Sequence, residues 1–427
     1  MQHKLFITIF TALFSLAFTA SAQKLVNSPF SRFNIGSMEP AGSFRTQGMG
    51  GVSTALRDNT SIYFSNPASY SSFDTISFNF DFGLDYSKNI LSDGASKYKS
   101  DDANFDHLLM GFPIAKGWGF AVGLVPLSNG YFQIAETVSE GNPLYDPQTG
   151  IYSSYHAGEG GFNNFFMGSG IKINKNFSVG VNMSVMFGNI KRTNQFDFAD
   201  YYNGFNNRTT ENIRINGINF TYGLQYIASL KNDYFFNAGI SFIANKSYNT
   251  NYNYLSEKYT AFGTIDTMAY TADNTKKAYI PGTLSMGISL GKKNKFTTSI
   301  DYKTTKWSTS YFPGSSGYAA DTKSILFGAE LIPDKFSNYS FLKRMEYRIG
   351  GHVGDNYLII NGEQLKEYGA SIGVGIPLRR TLSKTNLFFD YTKRAGPSGG
   401  TLPYENYFTM GISLNLYDQW FQKRKYE

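Results

Sequence analysis

The chain has 427 residues, 17% of them aromatic and only 17% charged, with no cysteine, a net charge of +7 and a mean hydropathy of −0.29. Its 41% hydrophobic content is that of a folded chain, and the hydropathy excludes a bundle of membrane helices, which needs several apolar runs of about 20 residues. Basic residues are dispersed, apart from Lys423-Arg424-Lys425 near the end, so no nucleic-acid partner is expected.

The first element is the single apolar run, Leu5 to Ala20, preceded by Lys4 and followed by Ser21-Ala22-Gln23. A basic start, a short apolar stretch and small residues before a cut are the marks of a cleaved export signal. Residues 1–22 are therefore expected to be removed, and the mature chain to begin at Gln23. An exported chain without cysteine relies on backbone pairing and packing for its stability.

Residues 23–75 do not alternate; they carry Gly36, Pro40, Gly42, Gly48, Gly50 and Gly51, then Asn66-Pro67-Ala68. From there a period of two takes over. Ile76, Phe78, Phe80, Phe82, Leu84 and Tyr86 alternate with Ser77, Asn79, Asp81, Gly83, Asp85 and Ser87, which puts apolar and polar groups on opposite faces of a strand. Phe177 to Phe187, Phe220 to Tyr226, Phe236 to Phe242, Phe296 to Tyr302 and Leu387 to Tyr391 repeat the pattern. Such runs predict about fourteen strands, each of a length that crosses a bilayer when tilted. They lie near 76–86, 104–114, 118–128, 159–173, 177–188, 212–228 and 234–246, then 276–290, 296–308, 322–332, 344–354, 367–378, 386–395 and 406–418.

The connections alternate in length. Ala115-Lys116-Gly117, Asn174-Lys175-Asn176, Lys231-Asn232-Asp233 and Gly291 to Lys295 are short, whereas 129–158, 189–211 and 247–275 are long. Short turns at one end and long loops at the other characterise bacterial outer-membrane barrels. The expected fold class is thus all-β: a transmembrane antiparallel β-barrel over 76–418, with an N-terminal plug over 23–75 and a basic tail over 419–427. Closure is required because an edge facing lipid leaves backbone groups unpaired. An even strand count places both barrel termini in the periplasm and the long loops outside the cell. A lumen of this width needs filling, and about fifty residues before the first strand are available for it.

Among polar strand positions, Asp81, Asp85, Asp301, Lys303, Glu346, Arg348 and Asp390 are expected to face the lumen. Lumen charges need partners, so we read them as a network tying wall to plug in preference to ligand contacts. Gly48, Gly50 and Ser53 fall one glycine short of a dinucleotide fingerprint, and no strand-helix-strand unit surrounds them. His107, His156 and His352 lack ligand-like spacing, so no metal, cofactor or enzymatic activity is expected. A hydrolase assembled in space from a Ser-His pair stays open, with nothing pointing to it.

Gly48-Met49-Gly50-Gly51-Val52-Ser53-Thr54-Ala55, Arg57-Asp58 and Asn66-Pro67-Ala68 resemble the N-terminal hatch of FadL-type outer-membrane transport proteins. Ile280-Pro281-Gly282-Thr283 and the residues to Ser289 resemble that family's proline-entered strand, and Asp301-Tyr302 with Trp307-Ser308 the next one. Ser28-Pro29-Phe30-Ser31-Arg32-Phe33 resembles a divergent branch. The resemblance implies passive uptake of hydrophobic compounds, such as long-chain fatty acids or aromatic hydrocarbons, released sideways into lipid through a gap in the wall. It also implies a kink in the third strand, for which Pro126 is the candidate, with Phe120, Val122 and Leu124 lining the gap; alternatively the strand simply stops at Pro126. The second functional reading is a non-transporting barrel that holds outer-membrane or periplasmic partner proteins in a secretion or assembly complex. The divergent start, the basic tail after Trp420-Phe421 and the Tyr- and Asn-rich loops favour it.

Overall fold

The computed structural model describes residues 28–92, 96–199, 205–260, 263–314, 317–379, 381–396 and 403–419. The export signal and the basic run after Gln419 lie outside the described residues. Fourteen antiparallel wall strands close into a barrel. The first six are β1 (Ser77–Ser92), β2 (Lys97–Ala115), β3 (Trp118–Asn129 and Phe132–Val138), β4 (Tyr152–Lys172), β5 (Phe177–Phe198) and β6 (Asn206–Ser229). Two interrupted strands follow, β7 (Tyr234–Ile243 and Lys246–Thr260) and β8 (Gly263–Asp273, Lys277–Ile280 and Thr283–Lys292). The wall is completed by β9 (Phe296–Thr305), β10 (Thr322–Leu331), β11 (Glu346–Ile360), β12 (Glu363–Pro377), β13 (Lys384–Ala395) and β14 (Tyr404–Gln419). β14 pairs with β1 from Gln419 opposite Ser77 to Tyr404 opposite Ser92. Because the last strand closes the wall onto the first, the unheated protein is expected to migrate faster than the boiled one on a denaturing gel; identical mobility would contradict closure.

The alternation has a simple physical cause. Leu84, Val181, Phe220, Ile240, Ile300, Ile372 and Ile412 all point outward and are exposed, while their strand neighbours Asp81, Asn182, Gln225, Asp301 and Ser371 are buried in the lumen. An apolar belt of this kind is stable only against hydrocarbon.

Two expectations are corrected. The stretches 189–211 and 247–275 are mostly strand among the described residues and 129–158 is half strand, not loop: β4 to β8 continue well past the belt, with β5 paired to β6 as far as Phe196 opposite Asn207. One side of the barrel therefore stands taller than the other. At the opposite end most connections are tight, such as Lys116-Gly117, but the segment between β10 and β11 is longer and contains a helical turn, Phe341–Arg344.

The plug runs through the lumen. It has a 3-10 turn (Pro29–Arg32), a two-residue strand (Ser37–Met38), one helical turn (Phe44–Gln47) and a second 3-10 turn (Pro67–Ser72). Asn66 caps that last turn by accepting from the Ala68 amide, and Pro67 occupies its first position, where a missing N–H costs nothing. Toward the tall end, Phe30 and Ile35 of the plug pack with Ile190, Ile213, Tyr248, Tyr252, Trp307, Phe312 and Leu358 in a single apolar cluster. Each such side chain removed from water is worth about 1.5–3 kcal/mol. Lower down, Ile62, Tyr70 and Phe73 pack on Leu109, Ala121 and Phe166 of the wall.

Candidate functional site

The contact between plug and wall is built from buried charges, backbone groups and glycines. Arg45 of the plug donates to both carboxylate oxygens of Glu330 on β10, at 3.1 and 2.7 Å, and to Asp58 at 2.7 Å. Arg348 on β11 shares Glu330 at 2.7 Å and also binds Glu346, which Lys384 on β13 reaches at 3.0 Å. Three cations and three carboxylates thus alternate in one continuous chain. Burial alone would raise the Asp58 carboxyl; Arg45, Lys384 and two hydrogen bonds from Thr60 outweigh it and hold Asp58 below the usual carboxylate range.

Backbone groups are held in the same way. The amides of Ser53 and Thr54 both donate to Asp301 at 2.8 Å, and the Gly50 amide donates to Ser371 Oγ at 2.9 Å. The Asn66 side-chain amide reaches the carbonyls of Thr54 (2.8 Å), Leu224 and Ile240 (3.3 Å each). Arg57 bridges Ala68 O and Gln225 on β6, and Gln225 in turn donates to Thr54 O at 3.0 Å.

Wall glycines make this proximity possible. A Cβ on Gly239 would lie 2.1 Å from Thr54 O, on Gly350 2.1 Å from Met49 C, and on Gly180 2.4 Å from Pro67 C. Gly50 and Gly51 of the plug have φ of +70° and +84°, a conformation that excludes most side chains.

The sequence-derived residues therefore divide into groups. Gly48, Gly50, Gly51, Asn66, Pro67 and Ala68 lie in the plug against the wall. Glu346, Arg348 and Asp301 bind it directly or through Glu330. Asp81 lies 3.3 Å from His107, whose other ring nitrogen is 2.5 Å from Asp106, and the Phe44 ring meets that imidazole edge-on. Asp85, Lys303 and Asp390 instead line a chamber of about 430 Å³ beside the plug, together with Glu39, His352, Glu367 and Arg394. Arg394 bridges Glu367 (2.6 Å) and Glu405 (3.3 Å) at its margin. Arg45, Gln225 and Glu330 were not singled out in the sequence, and Arg57 entered only through the hatch resemblance. Glu330 shares the lumen-facing phase of Leu326 and Gly328 on β10, and that phase was the available signal.

The wall is split beside the chamber. β2 and β3 pair from Ala115 opposite Trp118 up to Leu108 opposite Leu124. Beyond that point β3 bulges against β4 between Pro126 and Ser128, and above Leu108, among the described residues, β2 pairs with β1 alone. The plug takes the vacated edge: Ser37 and Met38 pair with Asn129 and Ser128, and the Glu39 amide donates to Leu127 O at 3.0 Å. Pro126 lies at this departure. Leu124, the last residue paired to β2, borders it, while Phe120 and Val122 sit below, paired with Phe112 and Met110 on one side and Ser169 and Met167 on the other; all three are on the outer face. Alternate residues of one strand share a face, so three residues in phase with lipid cannot line a lumen opening.

Cysteines introduced at 66 and 68 are expected to resist a bulky external thiol reagent in whole cells, and rapid labelling of both would contradict the buried plug. Asn66→Asp is expected to weaken the plug by about 1–3 kcal/mol, since it removes the donor facing three carbonyls; urea unfolding in detergent measures this.

A family model described as BamG matches residues 1–427. A search of curated proteins finds no match. Among solved structures, the chain is similar to the CymD monoaromatic hydrocarbon channel, with 14% identity over 91% of this chain and 100% of that one and a TM-score of 0.54. It is also similar to a Pseudomonas aeruginosa FadL homologue (11% identity, 88% and 99% covered, TM-score 0.56) and to the Pseudomonas putida toluene transporter TodX (13% identity, 90% and 99% covered, TM-score 0.54). At such identities the likeness is one of fold.

Proposed function

The chain belongs to the BamG family, and from that premise we propose that it is a non-catalytic, non-transporting barrel subunit of an outer-membrane protein-assembly complex. It sits in the bacterial outer membrane, with the tall end outside the cell and the short turns and both barrel termini in the periplasm. Its lumen holds the subunit rigid, and its surfaces hold partner proteins.

The observation that carries this reading is the plug strand seated in the wall split, where Ser37 and Met38 pair with Asn129 and Ser128. An apolar solute moving sideways needs an apolar pocket, because each CH₂ left in polar surroundings forfeits about 0.8 kcal/mol. The space next to the split mixes apolar groups, Met38, Pro40, Leu326 and Phe388, with the charged side chains of Glu39, Asp85, Lys303, Glu367 and Arg394, so an apolar solute there would also meet charge. The plug strand occupies the edge of β3, and the apolar cluster around Ile190 and Trp307 fills the tall end of the lumen.

Extraction in mild detergent by a tag on the barrel tests the proposal. Stoichiometric outer-membrane and periplasmic proteins are expected in the purified sample and in its density map. A solitary barrel carrying a hydrocarbon or fatty acid in the chamber would reverse the conclusion. Passive uptake is the second reading, and the departure of β3 from β2 at Pro126 favours it. It requires that loss of the protein abolish uptake of a labelled hydrophobic compound while assembly of other barrels continues.

A further inference from the structure

The segment 332–345, between β10 and β11, interrupts the pattern of tight turns at the short-turn end. After the buried Ile332, four of its large side chains are exposed: Phe336 is 73% exposed, Tyr339 fully exposed, Phe341 46% and Leu342 64%. Folded proteins rarely leave four such groups together in water. Lys343 and Arg344 close its helical turn, with the Arg344 guanidinium 5.7 Å from the Phe341 ring centre.

Three observations say what covers it. The helical turn lies on the outer side of the wall, because Tyr347 donates its hydroxyl to Leu342 O at 3.0 Å, and Tyr347 alternates with Glu346 and Arg348, whose side chains face the lumen. The apolar groups continue the belt, since Leu331 at the end of β10 and Ile349 on β11 are both exposed. The charge is one-sided. Lys343 and Arg344 follow the exposed rings, and the segment holds one carboxylate, Asp334; Lys335, with Lys293 and Lys295 of the adjoining turn, instead borders the lumen mouth beside Glu330 and Glu346. That turn is fastened to the segment by Lys295 Nζ on Pro333 O (2.8 Å) and Lys335 Nζ on Asn294 Oδ1 (3.0 Å). Aromatic rings backed by lysine and arginine at the foot of an apolar belt match the boundary between acyl chains and anionic headgroups.

We propose that residues 336–344 form a membrane-surface anchor: Phe336, Tyr339, Phe341 and Leu342 enter the headgroup region of the adjoining leaflet, and Lys343 and Arg344 bind anionic phospholipid there. This rests on the membrane placement of the barrel, and the experiment separates the two. The natural chain has no cysteine, so single-cysteine variants give clean probe sites. Tyr339→Cys reports the anchor and Ile372→Cys, on the outer face of β12, reports the belt. Each is labelled with a fluorophore and reconstituted in vesicles of phosphatidylcholine, or of phosphatidylcholine with phosphatidylglycerol.

Quenching of the probe at 339 by lipids carrying a nitroxide near the headgroup, with protection from aqueous iodide, is the result expected. Adding Lys343→Gln and Arg344→Gln should lower the preference for phosphatidylglycerol roughly tenfold. A probe at 339 quenched by iodide and not by lipid, while that at 372 is quenched by lipid, overturns the anchor and leaves the barrel in the membrane. If the same probe becomes shielded only when partner proteins are added, the segment is a protein-docking surface instead. Absence of lipid quenching at 372 would remove the membrane placement and the anchor together.

Discussion

Replacing Arg45 with alanine is expected to loosen the plug by about 3 kcal/mol, because it leaves half-buried Asp58 without its cation and buried Glu330 with Arg348 alone. The readout is hydrogen exchange and protease sensitivity of residues 44–58, which should become accessible while the barrel itself still shows heat-dependent mobility. The double variant Arg45→Met with Glu330→Gln should lose much less than the sum of the single changes, since groups in one chain of charges are coupled. Equal and additive losses would show that Arg45 acts by packing alone. The same chain sets a pH window. Asp58 ionises more readily folded than unfolded, so its contribution is fully present above the unfolded value of about 4 and fades as the pH falls below it.

Gly350→Ala and Gly239→Ala are expected to displace the plug just as severely. In an ordinary strand, alanine for glycine stabilises slightly, by about 0.5–1 kcal/mol, through the lost freedom of the unfolded chain. Here the added methyl would meet plug backbone at 2.1 Å in both cases, and backbone fixed on several sides has nowhere to go. Overpacking of this kind costs about 1–3 kcal/mol, and more when the obstructing atoms cannot move. The sign of the effect is therefore diagnostic. Thermal unfolding of the two variants, with thiol labelling of a cysteine at position 66, should show destabilisation and exposure together; stabilisation would mean that the plug does not rest on these glycines.

The wall was legible in the sequence because lipid outside and plug inside impose opposite chemistry on alternate residues, and that contrast survives in single strands such as Ser77–Ser92. It fails where the contrast fails. Asn206 to Glu211 extend β6 past the belt, where both faces are polar, and they read as loop. The lumen face of Asp301, Glu346 and Arg348 followed from phase alone. Their partners did not follow, since Arg45 and Glu330 are 285 positions apart and nothing local links them. Glycines such as Gly180 and Gly239 counted only as the polar member of an alternation, although their absent side chains are what admits the plug. The split between β2 and β3 depends on how far two strands stay in register, a property that Phe120, Val122 and Leu124 of one strand do not carry.

The seam of the barrel has a consequence for its biogenesis. β1 and β14, each of 16 residues, are the first and last strands of the wall, so the pairing that closes it has nearly the greatest sequence separation the chain allows. Contacts of such high order form late. The plug precedes β1, yet it is seated on strands through to β14, where Tyr417 donates to Asp74 at 2.8 Å, so its seat is complete only when the last strand arrives. Until β14 is delivered, two long edges face the bilayer, the state that a folding catalyst at the membrane must shelter. On the assembly role proposed above, a barrel built this way would itself be a client of the machine it serves.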